Sequence, residues 1–143
     1  GHCTVEDGAF LSGMVVVHQL ARIGRLAIVS GLSAVFKDAP PFMLCAGRPA
    51  VIHGLNIVGL RRAGIPPVVR DELKRAYKLL YRERRSVSSA LKAMEGLAAS
   101  AEMAALIQFV KSSERGLCAG PSSALPARTE TVGASRRVDI GRH

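Results

Sequence analysis

Residues 3–38 read CTVEDG AFLSGM VVVHQL ARIGRL AIVSGL SAVFKD when cut every six letters. The third letter of each unit is aliphatic: Val5, Leu11, Val17, Ile23, Val29 and Val35. The first letter is small: Cys3, Ala9, Val15, Ala21, Ala27 and Ser33. A helix needs a period near 3.6, and a half-buried strand needs only alternation. A period of six asks for one short strand and one turn per unit, with three units closing a triangular coil. Aliphatic and small residues then point inward and stack coil on coil, the signature of a parallel β-helix of hexapeptide repeats. A β-sandwich whose strands happen to align is the rival reading. Gly13, Gly24 and Gly31 are expected to supply the loose backbone of the turns. The period ends at Pro40-Pro41, where proline cannot donate to a ladder. Six units make about two coils, fewer than a solenoid needs to be stable, so further coils are expected before Gly1.

Composition agrees with a packed domain. Apolar residues make up 48% of the chain and aromatics only 4%, so aliphatic side chains must fill the core. No stretch approaches the length of a membrane-spanning helix, and the first residues lack the basic start of a signal peptide. Cys3, Cys45 and Cys118 are odd in number and widely spaced. They fit neither a disulfide framework nor a metal cluster, so we expect no metal site and a reducing, cytoplasmic location.

The net charge of +9 is uneven. Residues 1–47 sum to zero, residues 48–85 carry ten basic and three acidic side chains, and residues 86–143 add only +2. One basic segment points to a local acidic partner rather than to general polyanion affinity. A nucleic-acid role is disfavoured, because aromatic stacking residues are nearly absent.

After Arg48-Pro49 the pattern turns helical. One helix is expected over 50–63 with Gly64 as its stop, and a second opens at Pro66-Pro67. Val69, Leu73, Ala76, Tyr77 and Leu80 form the second helix's apolar stripe. A third begins at Ser86 or Ser88, with Val87, Leu91, Met94 and Leu97 on one face. Ser100 caps a fourth, with Met103, Leu106, Ile107 and Val110 inward and Gly116 beyond its end. Three segments follow: 1–47 the end of a β-helix, 48–117 a helical domain, and 118–143 a disordered tail. Arg70, Lys74, Lys78 and Arg82 recur every fourth residue on the second helix. They read either as a solvated face or as a docking strip for an acidic partner.

Chemistry-bearing residues are few. No Ser-His-Asp set, glycine-rich phosphate loop or metal spacing occurs. Histidine is the natural base near neutral pH, and His2, His18, His53 and His143 are the supply. His2 and His18 are nearly one coil apart, so both can share one β-helix edge. Cys3 falls in the inward row and reads as packing.

The runs GHCTVEDGAFLSGMVVVHQLARIG (1–24), DAPPFMLCAG (38–47), GLNIVGLRRAGI (54–65) and ELKRAYKLLYR (72–82) closely resemble the UDP-N-acetylglucosamine O-acyltransferase family of lipid A synthesis. The resemblance runs from Gly1 to about Leu117. It implies a homotrimer of left-handed parallel β-helices, each with a small all-α C-terminal domain. It implies transfer of an (R)-3-hydroxyacyl chain from acyl carrier protein to the 3-OH of UDP-N-acetylglucosamine. No cofactor is implied, because the acyl group arrives as a carrier thioester. The family's general-base histidine would lie one coil upstream of Gly1, so the isolated chain is expected to be inactive. Gly1 matches a backbone oxyanion donor, a task a free amino terminus would do poorly. His2 matches a second active-site histidine. His18 and Gln19 match a pair beside the nucleotide sugar and acyl chain. Gly31 matches the position that limits acyl length, and Asn56 and Arg62 match nucleotide and phosphate contacts. Arg61, Arg62, Arg70, Lys74 and Lys78 are the implied carrier-docking residues. The chain departs from the family at Val58, often Glu, at Arg48-Pro49, often Asn-His, and at Ala63, arginine in some relatives. A non-catalytic trimerisation or carrier-binding module is the alternative reading.

Overall fold

A computed structural model describes residues 1–121 of the chain. Six two-residue strands come first: β1 (Thr4–Val5), β2 (Phe10–Leu11), β3 (Val16–Val17), β4 (Arg22–Ile23), β5 (Ile28–Val29) and β6 (Ala34–Val35). Each of the first three pairs in parallel with the strand 18 residues on: Val5 lies against Ile23, Leu11 against Val29 and Val17 against Val35. The pairs fall in three separate sheets, the three faces of a triangular prism. Ala21, Ile23, Ala27, Val29, Ser33 and Val35 are buried, so the first and third letters of the second coil point inward as their period requires.

The turns are made by different residues from those expected. Gly13, Gly24 and Gly31 do not have positive φ; the last letter of each of the first five units does. Gly8, Met14, Leu20, Leu26 and Leu32 have φ of 72, 57, 69, 56 and 63°. For residues with a Cβ this left-handed conformation costs roughly 1–2 kcal/mol each. Hydrogen bonds between coils hold it: Leu20 N–H donates to the His2 carbonyl, Leu26 to Asp7 and Leu32 to Gly13, each at 3.0 Å. Gly24 answers a different need. A Cβ there would stand 2.4 Å from the Pro41 nitrogen, so glycine lets the next layer approach.

That next layer corrects the expected stop at Pro40-Pro41. Ala39 bridges in parallel to Ile23, and β7 (Met43–Gly47) pairs in parallel with β5, Cys45 against Val29. The offset is 16 residues instead of 18, so the layer is two residues short. The prolines sit at its corner, where no ladder donor is needed. β7 then turns back through Arg48-Pro49 into antiparallel β8 (Ala50–Leu55). Residues 50–55 are therefore strand and not the first half of a helix. The sequence AVIHGL offers too few residues to separate the two periods, and the edge of β7 offers a ladder. The boundary expected between 47 and 48 falls in this hairpin turn.

The helices are α1 (Ile57–Arg62), α2 (Pro67–Tyr81), α3 (Val87–Leu97) and α4 (Ala101–Lys111). Asn56, Ser86 and Ser100 cap α1, α3 and α4 by accepting from the N–H groups of Gly59, Ser89 and Met103. Gly64 and Gly116, at φ 79 and 84°, follow α1 and α4 as expected. Leu79 joins Leu73, Ala76 and Tyr77 in the buried face of α2, while Val87 of α3 is half exposed. α2 packs on α3, α4 and β8. One apolar core runs from Ile23 and Val29 through Phe42, Met43 and Ile52 to Leu60, Leu73, Met94 and Leu106. Leu117 and Cys118 are part of the packed body as well. Asp38 bridges to Leu117, Cys118 is buried, and Ile52 N–H donates to the Ala119 carbonyl. Residues 118–121, expected in the tail, thus belong to the described body; the rest of that expectation, residues 122–143, lies outside the described residues.

Candidate functional site

A cleft of about 400 Å³ opens where α1 meets the corner joining the β1/β4 and β2/β5 faces. Phe10, Leu26, Ile28 and Val58 give it apolar walls, and Gly8 and Ala63 complete its rim. Asn56 and Arg62, chosen from the sequence as nucleotide contacts, both line it. They differ in what they have to offer. The Asn56 amide nitrogen donates to the Leu26 carbonyl at 2.9 Å, and its Oδ1 accepts from Gly59 N–H at 3.0 Å. Asn56 therefore ties α1 to the β-helix corner, a role the sequence reading did not assign. Its signal was present, since asparagine directly before a helix is a preferred cap. Gly59 must be glycine for the same reason: a Cβ there would stand 2.2 Å from Asn56 Nδ2. The Arg62 side chain, in contrast, is exposed and has no partner among the described residues. The cleft thus combines apolar walls with one free guanidinium. It suits a ligand with a flat or hydrocarbon part joined to an anion, since a guanidinium pairs with phosphate through two N–H groups.

The other candidates lie at different corners. Leu20 N–H bonds the His2 carbonyl, so His2, His18 and Gln19 occupy one corner, as the near-coil spacing of the histidines suggested. All three are exposed. His18 Nδ1 lies 3.0 Å from the Gln19 carbonyl. A carbonyl only accepts, so this contact needs a proton on Nδ1, and in the neutral ring Nε2 is then an acceptor. The ring packs near Phe36, centroids 6.2 Å apart. Gly31 stands at a third corner, exposed, where a Cβ would touch the Gly13 carbonyl at 3.4 Å. Gly1 is exposed ahead of β1. A single chain therefore gathers Asn56 with Arg62 and His2 with His18 and Gln19, but does not bring these groups or Gly31 together.

The docking candidates also divide. Arg70 is half buried and donates through Nη1 to the Ile65 carbonyl at 2.7 Å, securing the loop before α2. Arg61, Lys74 and Lys78 are exposed with no partner among the described residues, a set of free cations along α1 and α2. Among the described residues no three His, Cys, Asp or Glu side chains converge as a metal set would. No helix among them is long and apolar enough to cross a membrane.

Stacked six-residue units closed by short helices make this a hexapeptide-repeat β-helix protein. A family model described as UDP-N-acetylglucosamine O-acyltransferase, domain 2, matches residues 38–118. The acyl-[acyl-carrier-protein]–UDP-N-acetylglucosamine O-acyltransferase of Thiobacillus denitrificans is 42% identical over 118 residues, covering 82% of this chain and 46% of that protein. The enzyme of the same name from Burkholderia thailandensis is 40% identical over 122 residues, covering 82% and 47%. Among solved structures, the UDP-N-acetylglucosamine acyltransferase of Bacteroides fragilis superposes with a TM-score of 0.78 at 32% identity, covering 80% of this chain and 46% of that one. The enzyme from Francisella novicida gives 0.79 at 27% identity, covering 90% and 50%. The chain belongs to the UDP-N-acetylglucosamine O-acyltransferase family. It spans about half the length of the curated relatives it matches.

Proposed function

We propose that this segment serves an acyltransferase that moves a 3-hydroxyacyl chain from acyl carrier protein to the 3-OH of UDP-N-acetylglucosamine, the first step of lipid A synthesis, in the cytoplasm. The observation that carries this reading is the unpaired Arg62 guanidinium above the apolar walls of the cleft. Uracil or a hydrocarbon chain can lie on Phe10, Leu26, Ile28 and Val58, and Arg62 can meet the diphosphate. Val58 and Ala63 give this cleft less polar edge than the glutamate and arginine of relatives would, so Arg62 carries more of the anion recognition.

In the reaction, the sugar hydroxyl oxygen bonds to the thioester carbonyl carbon, the carbon–sulfur bond breaks, and the hydroxyl proton passes through a base to the leaving thiol. The activated thioester supplies the acyl group, so the scheme needs no resident cofactor. His2 and His18 fit proton-holding and hydroxyl-orienting tasks, with His18 Nε2 as the acceptor. Gly31 leaves room for acyl chain at its corner. That these groups stand at separate corners of one prism supports assembly as a homotrimer, where one subunit's corner faces its neighbour's. Phe10, Met14 and Val16 on the outer surface, 57, 81 and 61% exposed, are the side chains such packing would cover.

Arg62→Ala is expected to weaken binding of UDP-N-acetylglucosamine by roughly 10–100-fold, the range for losing a hydrogen-bonded charge contact. Calorimetric titration of the protein reads it, with Lys92→Ala on the exposed face of α3 as control. Equal affinity in both variants removes the assignment. Lys74→Glu combined with Lys78→Glu is expected to raise KM for acyl carrier protein several-fold in a full-length enzyme bearing this segment. It should also flatten the salt dependence of that KM, because the exposed cations act at a distance that salt screens. An unchanged KM across salt concentrations returns α2 to the role of a solvated face.

A further inference from the structure

Cys45 and Cys118 stand 73 positions apart in the chain, yet their Sγ atoms lie 4.0 Å from each other. Both residues are buried and both thiols are free. The backbone around them is held firmly. Cys45 sits in β7 opposite Ile52. Cys118 N–H donates to the Asp38 carbonyl, the Tyr81 hydroxyl donates to the Cys118 carbonyl, and Ile52 N–H donates to the Ala119 carbonyl, each at 2.8 Å. A disulfide bond is about 2.05 Å long, so the sulfurs need approach by about 2 Å, within the reach of side-chain rotation and small backbone shifts. The pair is also not sealed off. A cavity of about 180 Å³, walled by Phe36, Lys37, Pro49 and Val51, reaches Cys118. Cys45 is not among the residues lining this cavity and is fully buried.

We propose that Cys45 and Cys118 form a reversible dithiol–disulfide site, oxidised by exchange with a low-molecular-weight disulfide that enters through this cavity. Cys118 is the residue that attacks first and Cys45 the one that resolves. The Cys118 thiolate attacks one sulfur of the small disulfide RSSR. A bond forms between Cys118 Sγ and that sulfur, the original S–S bond breaks, and the departing RS⁻ takes the proton that Cys118 lost. Cys45 then gives up its proton and attacks Cys118 Sγ. The Cys45–Cys118 bond forms, the mixed disulfide breaks, and the second RS⁻ takes the Cys45 proton. Two electrons pass from the protein to RSSR, and two molecules of RSH are released.

The hydrogen bonding supports this order. The Cys45 thiol donates to Cys118 Sγ, which lowers the Cys118 pKa and favours its thiolate. The same bond, with burial, raises the Cys45 pKa, so Cys45 reacts only once a sulfur is presented to it. The product would tie β7 covalently to the segment that follows α4. Neither the sequence spacing nor the transfer reaction proposed above calls for this pair, and the site stands whether or not that reaction is confirmed.

The test incubates the folded chain with cystamine in a Cys3→Ser background, which removes the exposed third thiol. Peptide mapping under non-reducing conditions, after an acid quench, should show the Cys45 and Cys118 peptides joined with the loss of two hydrogens. Titratable thiols should fall from two to none, and dithiothreitol should restore both. Cys45→Ser should stop at a single cysteamine adduct on Cys118, and Cys45→Ala gives a second variant if the serine disturbs the core. Circular dichroism before and after oxidation should be the same, which places the reaction in the folded state. Retention of both thiols by the folded protein, or two separate adducts in place of the cross-link, overturns the proposal.

Discussion

Asp38→Ala is expected to lower folding stability by about 3–5 kcal/mol, the range for removing one partner of a buried ion pair. Asp38 closes the last repeat unit, and its side chain is 2% exposed. One oxygen accepts from Arg22 N–H at 2.9 Å. The other accepts from the Ser113 hydroxyl at 2.7 Å and lies 3.5 Å from Arg22 Nε. Arg22 in turn donates to the Phe109 carbonyl at 2.9 Å, and its guanidinium carbon sits 3.9 Å above the Phe109 ring. One carboxylate thus holds a β-helix strand, an arginine and the end of α4 together. Alanine would strand the Arg22 amide and the Ser113 hydroxyl and leave a guanidinium, 24% exposed, without its counter-ion. Asp38→Asn should cost less. It keeps one acceptor oxygen, and the Ser113 hydroxyl can rotate to accept from the new amide. Urea denaturation of both variants, and of Asp38→Ala with Arg22→Ala, checks the argument. The double variant should be more stable than the sum of the single losses predicts, because each substitution removes the same pair. Strict additivity would mean that Arg22 and Asp38 do not act through each other.

This linkage shows which parts of the structure the chain announces and which it does not. The repeat was legible because stacking imposes the same demand at every sixth residue, and Ile23, Val29 and Val35 meet it beneath Val5, Leu11 and Val17. The cap at Ser100 was legible, and Ser86 was one of two starts offered for α3, because a helix start needs a local acceptor. The corners were not. Leu20, Leu26 and Leu32 carry no turn signal of their own, and their positive φ is held by the neighbouring coil, which accepts their N–H groups. β8 was hidden for a related reason: its ladder partner, β7, belongs to a layer two residues out of step with the repeat. Within the candidate site, Asn56 and Arg62 were picked out by resemblance, yet only the coordinates show Asn56 engaged by Leu26 and Gly59 and Arg62 left free. The meeting of Cys45 with Cys118, and of Arg22 with Phe109, depends on how α4 returns to the prism. No local spacing encodes that.

Phe42 is where the two kinds of demand coincide, and its substitution is the second large effect. The side chain is fully buried between the prism and the helical layer, with the Arg25 guanidinium 5.7 Å from its ring centroid. Phe42→Ala should cost about 3–5 kcal/mol, the range for emptying a phenylalanine site in a packed core. Its backbone adds a sharper test. Phe42 has φ of 70°, its N–H donates to the Arg25 carbonyl and its carbonyl accepts from Asn56 N–H. Alanine would keep the left-handed strain and lose the packing. Glycine would lose the same packing but adopt this φ without penalty, a relief of roughly 1–2 kcal/mol. Against it stands the greater freedom of glycine in the unfolded chain, roughly 0.5–1 kcal/mol. Phe42→Gly should therefore be as stable as Phe42→Ala or up to about 1.5 kcal/mol more stable, the reverse of the order found at ordinary backbone positions. Denaturant midpoints of the two variants decide it. If glycine is the less stable by about 1 kcal/mol, the corner does not hold its left-handed turn in solution. The anchoring of α1 through Asn56 would then need another explanation.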